Sequence, residues 1–167
     1  FLRGLYYFNL VRLFGDVPWI DKQQTASDDL QVSRTSKDIV YQHIIDDFSD
    51  AASMLPAVYE NTTDIGRATK GAAFGLLAKV YLTLKRYNET LVAIDSVTNL
   101  GVYSLNRKYE WNFSDLRENG PESLFEVQYE KDVTAYSEFD ILGQGGWHHE
   151  YMAPLASINI GGPWGNF

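Results

Sequence analysis

The sequence predicts a mainly helical fold. Apolar residues recur at helical spacing through four stretches, all within residues 1–103. Gly, Pro or polar residues close each stretch. Only residues 124–129 alternate as a half-buried strand does, with Phe125, Val127 and Tyr129 on one side and Glu126 and Gln128 on the other. From residue 131 onward periodicity fades into sequence rich in Gly, Trp, His and Tyr, which reads as long ordered loops.

The first helix runs over residues 1–14. Tyr7, Val11 and Phe14 share one face, and Leu2, Leu5, Asn9 and Leu13 lie near another. Apolar character nearly all round predicts burial on more than one side. Gly15 fits a left-handed helix end, and Pro18 blocks resumption. Residues 21–34 are polar and aperiodic, a surface loop. Thr35 is placed to cap the second helix, and Asp38 completes a capping-box pattern. Tyr41, Ile44, Ile45, Phe48, Ala52 and Leu55 form its core stripe. Asp46, Asp47 and Asp50 read as a solvated acidic face rather than a cation site, which needs a loop wrapping oxygens around the ion. His43 reads as a surface residue, and Pro56 ends the helix.

After a polar loop at 57–66, Thr69 caps a third helix. Phe74, Leu77, Ala78 and Tyr81 face inward, while Ala72, Ala73, Gly75 and Ala78 keep one side thin. Residues 85–87 turn the chain and Asn88 is placed to cap a fourth helix. Leu91, Ile94, Val97 and Thr98 continue it, and Gly101 stops it. Residues 103–116 are irregular, with Trp111 and Phe113 as expected anchors.

Composition narrows the function. The chain has 167 residues, 45% hydrophobic and 22% charged, enough for one domain with a core. Its formal net charge of −8 and scattered basic residues argue against a nucleic-acid face. With no cysteine there is no disulfide framework, Cys-ligated zinc or Cys nucleophile. Gly66-Arg67-Ala68-Thr69-Lys70-Gly71 has the wrong order for a phosphate loop. The chain opens inside a helical pattern and closes inside a Gly/Trp loop. It therefore reads as an internal piece of a longer protein, truncated at both ends, forming a single domain over 1–167 with a helical part (1–103) and a loop-rich part (104–167).

The third and fourth helices resemble a tetratricopeptide repeat, with Phe74, Leu77, Ala78, Tyr81 and Tyr87 at its large, Leu, small, aromatic and aromatic positions. Thr90 stands where that motif expects Ala, and Val102 where it expects Pro. Four stretches in order then resemble the SusD/RagB family: FLRGLYYFNLVRLFGDVPWI, RTSKDIVYQHIIDDFSDAASMLP, GRATKGAAFGLLAKVYLTLKRYNETLVAIDSVTNLGVYSL and PESLFEVQY. The family comprises nutrient-binding lipoproteins of the Bacteroidetes outer membrane. The resemblance implies a SusD-like fold of tetratricopeptide-like hairpins with long ordered loops and a short β element. It implies a surface-exposed position, a SusC-like TonB-dependent transporter as partner, an oligosaccharide or polysaccharide ligand, and an N-terminal lipid anchor outside this sequence.

Sugar rings stack on aromatic faces, and short polar residues take their hydroxyls. Trp147 is the expected platform, with His148, Tyr151 and Trp164 beside it and Glu150 and Asn166 as hydroxyl partners. Trp147 and Trp164 read alternatively as buried loop anchors. His148-His149-Glu150 lacks metal-site spacing, so no metal or cofactor is expected. Glu138, Asp140 and Glu150 are the carboxylates a glycosidase would need, but no pairing is readable. A non-catalytic glycan-binding protein is the leading reading. A peptide-binding scaffold and a carbohydrate-active enzyme are the alternatives.

Overall fold

The computed structural model describes residues 1–25, 31–114 and 117–128. The chain divides into two compact units, 1–126 and 127–167. The first contains nearly all described residues.

Four α-helices build it: α1 (Leu2–Phe14), α2 (Lys37–Met54), α3 (Lys70–Thr83) and α4 (Tyr87–Asn99). They pack in chain order, α1 on α2, α2 on α3 and α3 on α4. Short 3-10 turns occupy Thr62–Asp64 and Tyr109–Phe113. The core gathers Phe8 and Val11 from α1, Val40, Ile44, Ile45 and Phe48 from α2, and Leu77 and Val80 from α3. Alanines close the rest of the α2/α3 contact, with Ala51 and Ala52 against Ala73. Small side chains there let the two backbones approach closely.

α1 departs from the expected burial on more than one side. Gly4, Phe8 and Val11 face α2. Leu2, Tyr6, Leu10, Leu13 and Phe14 form an apolar strip between 40% and 75% exposed. Among the described residues, α2 is the helix packed against α1, and Trp19 covers Tyr7 at the edge of that contact, so the opposite face stays open. Gly4 makes that crossing close, since a Cβ there would stand 3.2 Å from the Phe48 ring. α1 ends at Gly15, whose φ of 69° is open to glycine and whose N–H bonds Val11 O at 3.0 Å.

The start of α2 is also a correction. Thr35 does not cap it. Its backbone pairs instead with Val17 in an isolated antiparallel bridge, Thr35 N–H donating to Val17 O at 3.0 Å. Ser36 holds the N-cap position without a side-chain bond. The carboxylate of Asp16 reaches across from the end of α1 and accepts the Lys37 N–H at 2.8 Å. An anion at a helix N-terminus satisfies an open amide and complements the helix dipole. Asp16→Ala should therefore cost about 1 kcal/mol, seen as a lower urea midpoint with unchanged slope.

The acidic face of α2 is only partly solvated. Arg3 clamps Asp47 with two bonds, Nε to Oδ2 at 2.9 Å and Nη2 to Oδ1 at 2.6 Å. Those hydrogen bonds raise the Arg3 pKa above its ordinary value. The same guanidinium lies 4.9 Å over the Trp19 ring. Trp19 also meets Tyr7 at 4.3 Å and stacks on His43 at 4.5 Å. His43 is thus a half-buried stacking partner, not the plain surface residue expected from its acidic helix.

α3 and α4 form the expected hairpin, joined by a three-residue turn with Lys85 at φ 59°. Thr69 caps α3, its Oγ1 accepting the Ala72 N–H at 3.1 Å. Asn88 does not cap α4. It lies inside the first turn, and Arg86 in front of it pairs with Glu89 at 2.8 Å. The buried side of α4 is Thr90 and Ala93, while Leu91 and Ile94 are exposed. Thr90 is tolerated inside because its hydroxyl donates to Arg86 O at 2.9 Å.

Among the described residues, 124–128 form no strand. Side chains of the segment pack on the helical part instead. Phe125 meets the Phe1 ring edge-on at 5.1 Å, Leu124 lies over Gly75, and Val127 is exposed.

Candidate functional site

Two loops converge beside the start of α3: the α2–α3 loop, and the segment from the end of α4 to residue 126. They enclose a cleft of about 280 Å³. Tyr59, Asp64 and Arg67 line it from the first loop, and Tyr103, Asn119, Phe125 and Glu126 from the second.

Local bonds fix both walls. The carbonyl of Pro56 accepts the Lys70 N–H at 2.8 Å, and Tyr59 OH donates to Ala68 O at 3.0 Å. Gly66, at φ 93°, turns the chain between them. Arg67 Nε pairs with Asp64 Oδ1 at 2.9 Å. The two loops are stitched by the hydroxyls of Thr69 and Tyr103, 2.8 Å apart. Tyr103 can lie on α3 only because residue 71 is glycine, since a Cβ there would overlap its ring. Across the second loop, Ser104 N–H donates to Pro121 O at 2.9 Å. Asn119, in the left-handed region at φ 56°, donates its N–H to Glu126 Oε2 at 2.9 Å.

A smaller hollow of about 210 Å³ adjoins this cleft, sharing Gly120, Ser123 and Glu126 with it. Its centre is Glu122. Oε2 accepts the Asn106 N–H at 2.9 Å and the Asn112 side-chain amide at 3.1 Å. Asn106 Nδ2 donates in turn to Asn112 Oδ1 at 2.5 Å. The Asn106 backbone bond first, and the Asn112 bond second, hold the Glu122 pKa below its ordinary 4.5. A carboxylate lowered in the folded state supports the fold above its unfolded pKa and loses that support as pH falls through the lowered value. The Asn106 amide proton should therefore shift in an acid titration with a midpoint below 4.5. Glu122→Gln should abolish the step, as followed by NMR.

Chemically, this surface combines tyrosine and phenylalanine rings with carboxylates, a guanidinium and an amide. Such a set suits a polyhydroxylated ligand with flat apolar faces. Among the described residues, no three His, Asp or Glu side chains cluster as a metal site would require.

Comparison with known proteins places the fold. A SusD-like family model, described as starch-binding and associating with outer membrane, matches residues 1–82. A SusD-like protein of Bacteroides fragilis superposes with a TM-score of 0.71 at 35% identity, over 79% of this chain and 26% of that one. The chain belongs to the SusD/RagB family. A laminarin-binding SusD-like protein is also similar to this SusD-like chain, with a TM-score of 0.67 and 30% identity, over 74% of this chain and 28% of its own. SusD-like protein P25 of Formosa agariphila is 25% identical over 92% of this chain and 31% of its length. The SusD-like chain thus spans under a third of the length of these relatives.

The expected platform, Trp147, and its companions His148, Glu150, Tyr151, Trp164 and Asn166 lie outside the described residues, as do Glu138 and Asp140. Of the two expected anchors, Trp111 is half-buried beneath Arg117, whose guanidinium lies 3.8 Å over its ring. Phe113 is exposed instead. Tyr59, Asp64, Arg67, Tyr103, Asn119 and Glu126 were not singled out by sequence. The available signals were Gly66 and Gly71 bracketing Thr69, and the turn-forming Asn119-Gly120-Pro121, which mark where two loops can approach a helix start.

Proposed function

We propose that this chain is part of a non-catalytic, surface-exposed glycan-binding protein of the bacterial outer membrane. It captures an oligosaccharide or polysaccharide on its loop side. Its helical side serves a SusC-like TonB-dependent transporter that takes the sugar onward. A lipid anchor on the parent polypeptide, outside this sequence, holds it at the membrane. The observation that carries the reading is the likeness, across 74% of this chain, to a SusD-like protein that binds laminarin. The aromatic and polar lining of the cleft supports it. The exposed apolar strip of α1 and the short span relative to its relatives support one further point: the chain works as one piece of a longer polypeptide.

Calorimetric titration with laminari- and malto-oligosaccharides tests this. Saturable heat with the sugar recovered intact by chromatography is the expected result. Shortened sugar products would make it an enzyme, and no heat with any glycan would favour a peptide-binding scaffold. Expectations for Trp147 are tested in the same assay. Trp147→Ala should weaken binding roughly tenfold, the effect of about 1.4 kcal/mol.

A further inference from the structure

We propose that the turn Tyr109–Phe113, together with Asn106, Asn112 and Glu122, forms an oligosaccharide subsite beside the cleft. The proposal rests on the glycan-binding reading above and names where a second part of the chain of sugars would sit.

Tyr109 and Phe113 are 78% and 73% exposed, yet their rings touch each other edge-on with centroids 5.2 Å apart. Covering a side chain of this size is favourable. Two such rings held side by side in water are a ready apolar surface. A five-residue 3-10 helix carries them, and Asn112 stands between them in sequence.

Asn112 brings the polar half. It bonds both Asn106 and Glu122. Both bonds that Glu122 accepts fall on Oε2, which leaves Oε1 without a partner among the described residues. The turn thus offers a ring pair for C–H faces, and its Asn112 links that pair to an ionised carboxylate oxygen for a hydroxyl. A purely apolar partner would leave that carboxylate desolvated and unpaired, which is costly. A sugar satisfies both halves.

The site is also set in advance. Arg117 lies over Trp111 within the same loop, and Ser104 ties its start to Pro121. Less ordering is then lost on binding. The hollow shares Gly120, Ser123 and Glu126 with the larger cleft, so a ligand crossing that wall meets both. The geometry therefore points to an oligosaccharide rather than a single sugar.

The test titrates laminarihexaose and maltohexaose into the full chain and into three variants. Tyr109→Ala/Phe113→Ala and Asn112→Ala should each weaken the bound sugar roughly tenfold. Leu105→Ala, exposed in the same loop but outside the site, should bind as the parent does. On the parent chain, sugar should also shift the Asn106 and Asn112 side-chain amide resonances, a readout that needs no folded variant. Unchanged affinity in a double variant that melts like the parent, or binding without those shifts, overturns this subsite and leaves the glycan-binding reading standing. No binding of either sugar by the parent overturns this subsite together with that reading for these glucans.

Discussion

Phe48→Ala is expected to cost about 3–5 kcal/mol, the range for emptying a large aromatic from a closed core. Phe48 is 0% exposed and sits where α1 crosses α2. The Phe1 ring meets it edge-on at 5.8 Å. Gly4 leaves no side chain that could swing into the vacancy, and Ile44 and Ile45 are held on the same rigid helix. Relaxation is therefore limited, which places the cost toward the upper end. In a domain of this size the melting temperature should fall by roughly 6–20 °C. Phe14→Ala is the contrasting change. Its ring is 64% exposed on the outer strip of α1, and removing it should alter stability by less than about 0.5 kcal/mol. Thermal denaturation of both variants tests the one-sided burial of α1 directly. Equal losses would mean that α1 is covered on both sides.

Gly71→Ala should destabilise, against the usual rule for helices. Replacing glycine by alanine inside a helix ordinarily gains about 0.5–1 kcal/mol. Here the new methyl would stand 2.5 Å from the Tyr103 hydroxyl oxygen and 2.6 Å from Cζ. The ring would have to leave, breaking its 2.8 Å hydroxyl contact with Thr69 and opening the cleft wall. Overpacking of this kind costs about 1–3 kcal/mol. The sign carries the test. In a Tyr103→Ala background the obstruction is gone, and Gly71→Ala should revert to a gain. A double-mutant cycle by urea denaturation would report that coupling. Additive effects would show that Tyr103 does not lie on α3.

The four helices were legible because each obeys a local rule. Periodic apolar residues set their faces, and Thr69, Gly15 and Gly101 mark ends that depend only on neighbours along the chain. What sequence misplaced depends on distant partners. Thr35 looks like a cap until Val17 claims its backbone, and the capping role passes to Asp16. His43 looks solvated until Trp19 folds over it. The alternation at 124–128 resembles a strand, but strands need partners, and Phe125 finds Phe1 instead. The apolar strip of α1 shows the limit of hydrophobicity as a guide. It identifies surface that favours contact without saying which side this unit covers. The cleft was hidden for the same reason. Its lining comes from residues 57–69 and 102–126, and only folding brings them together. The aromatic tail that best fitted a sugar site by composition lies beyond the described residues.

The bridge between Val17 and Thr35 and the cap from Asp16 to Lys37 fasten both feet of one excursion of the chain. With its ends fixed by bonds at the base, the cost of closing that excursion grows only with the logarithm of its length. Doubling it adds roughly 0.6 kcal/mol. Insertions between Lys22 and Gln23, both exposed, should therefore be absorbed there without disturbing α1 or α2. That makes this excursion a place where a label, an affinity tag or a grafted recognition loop can be carried on a frame that stays the same.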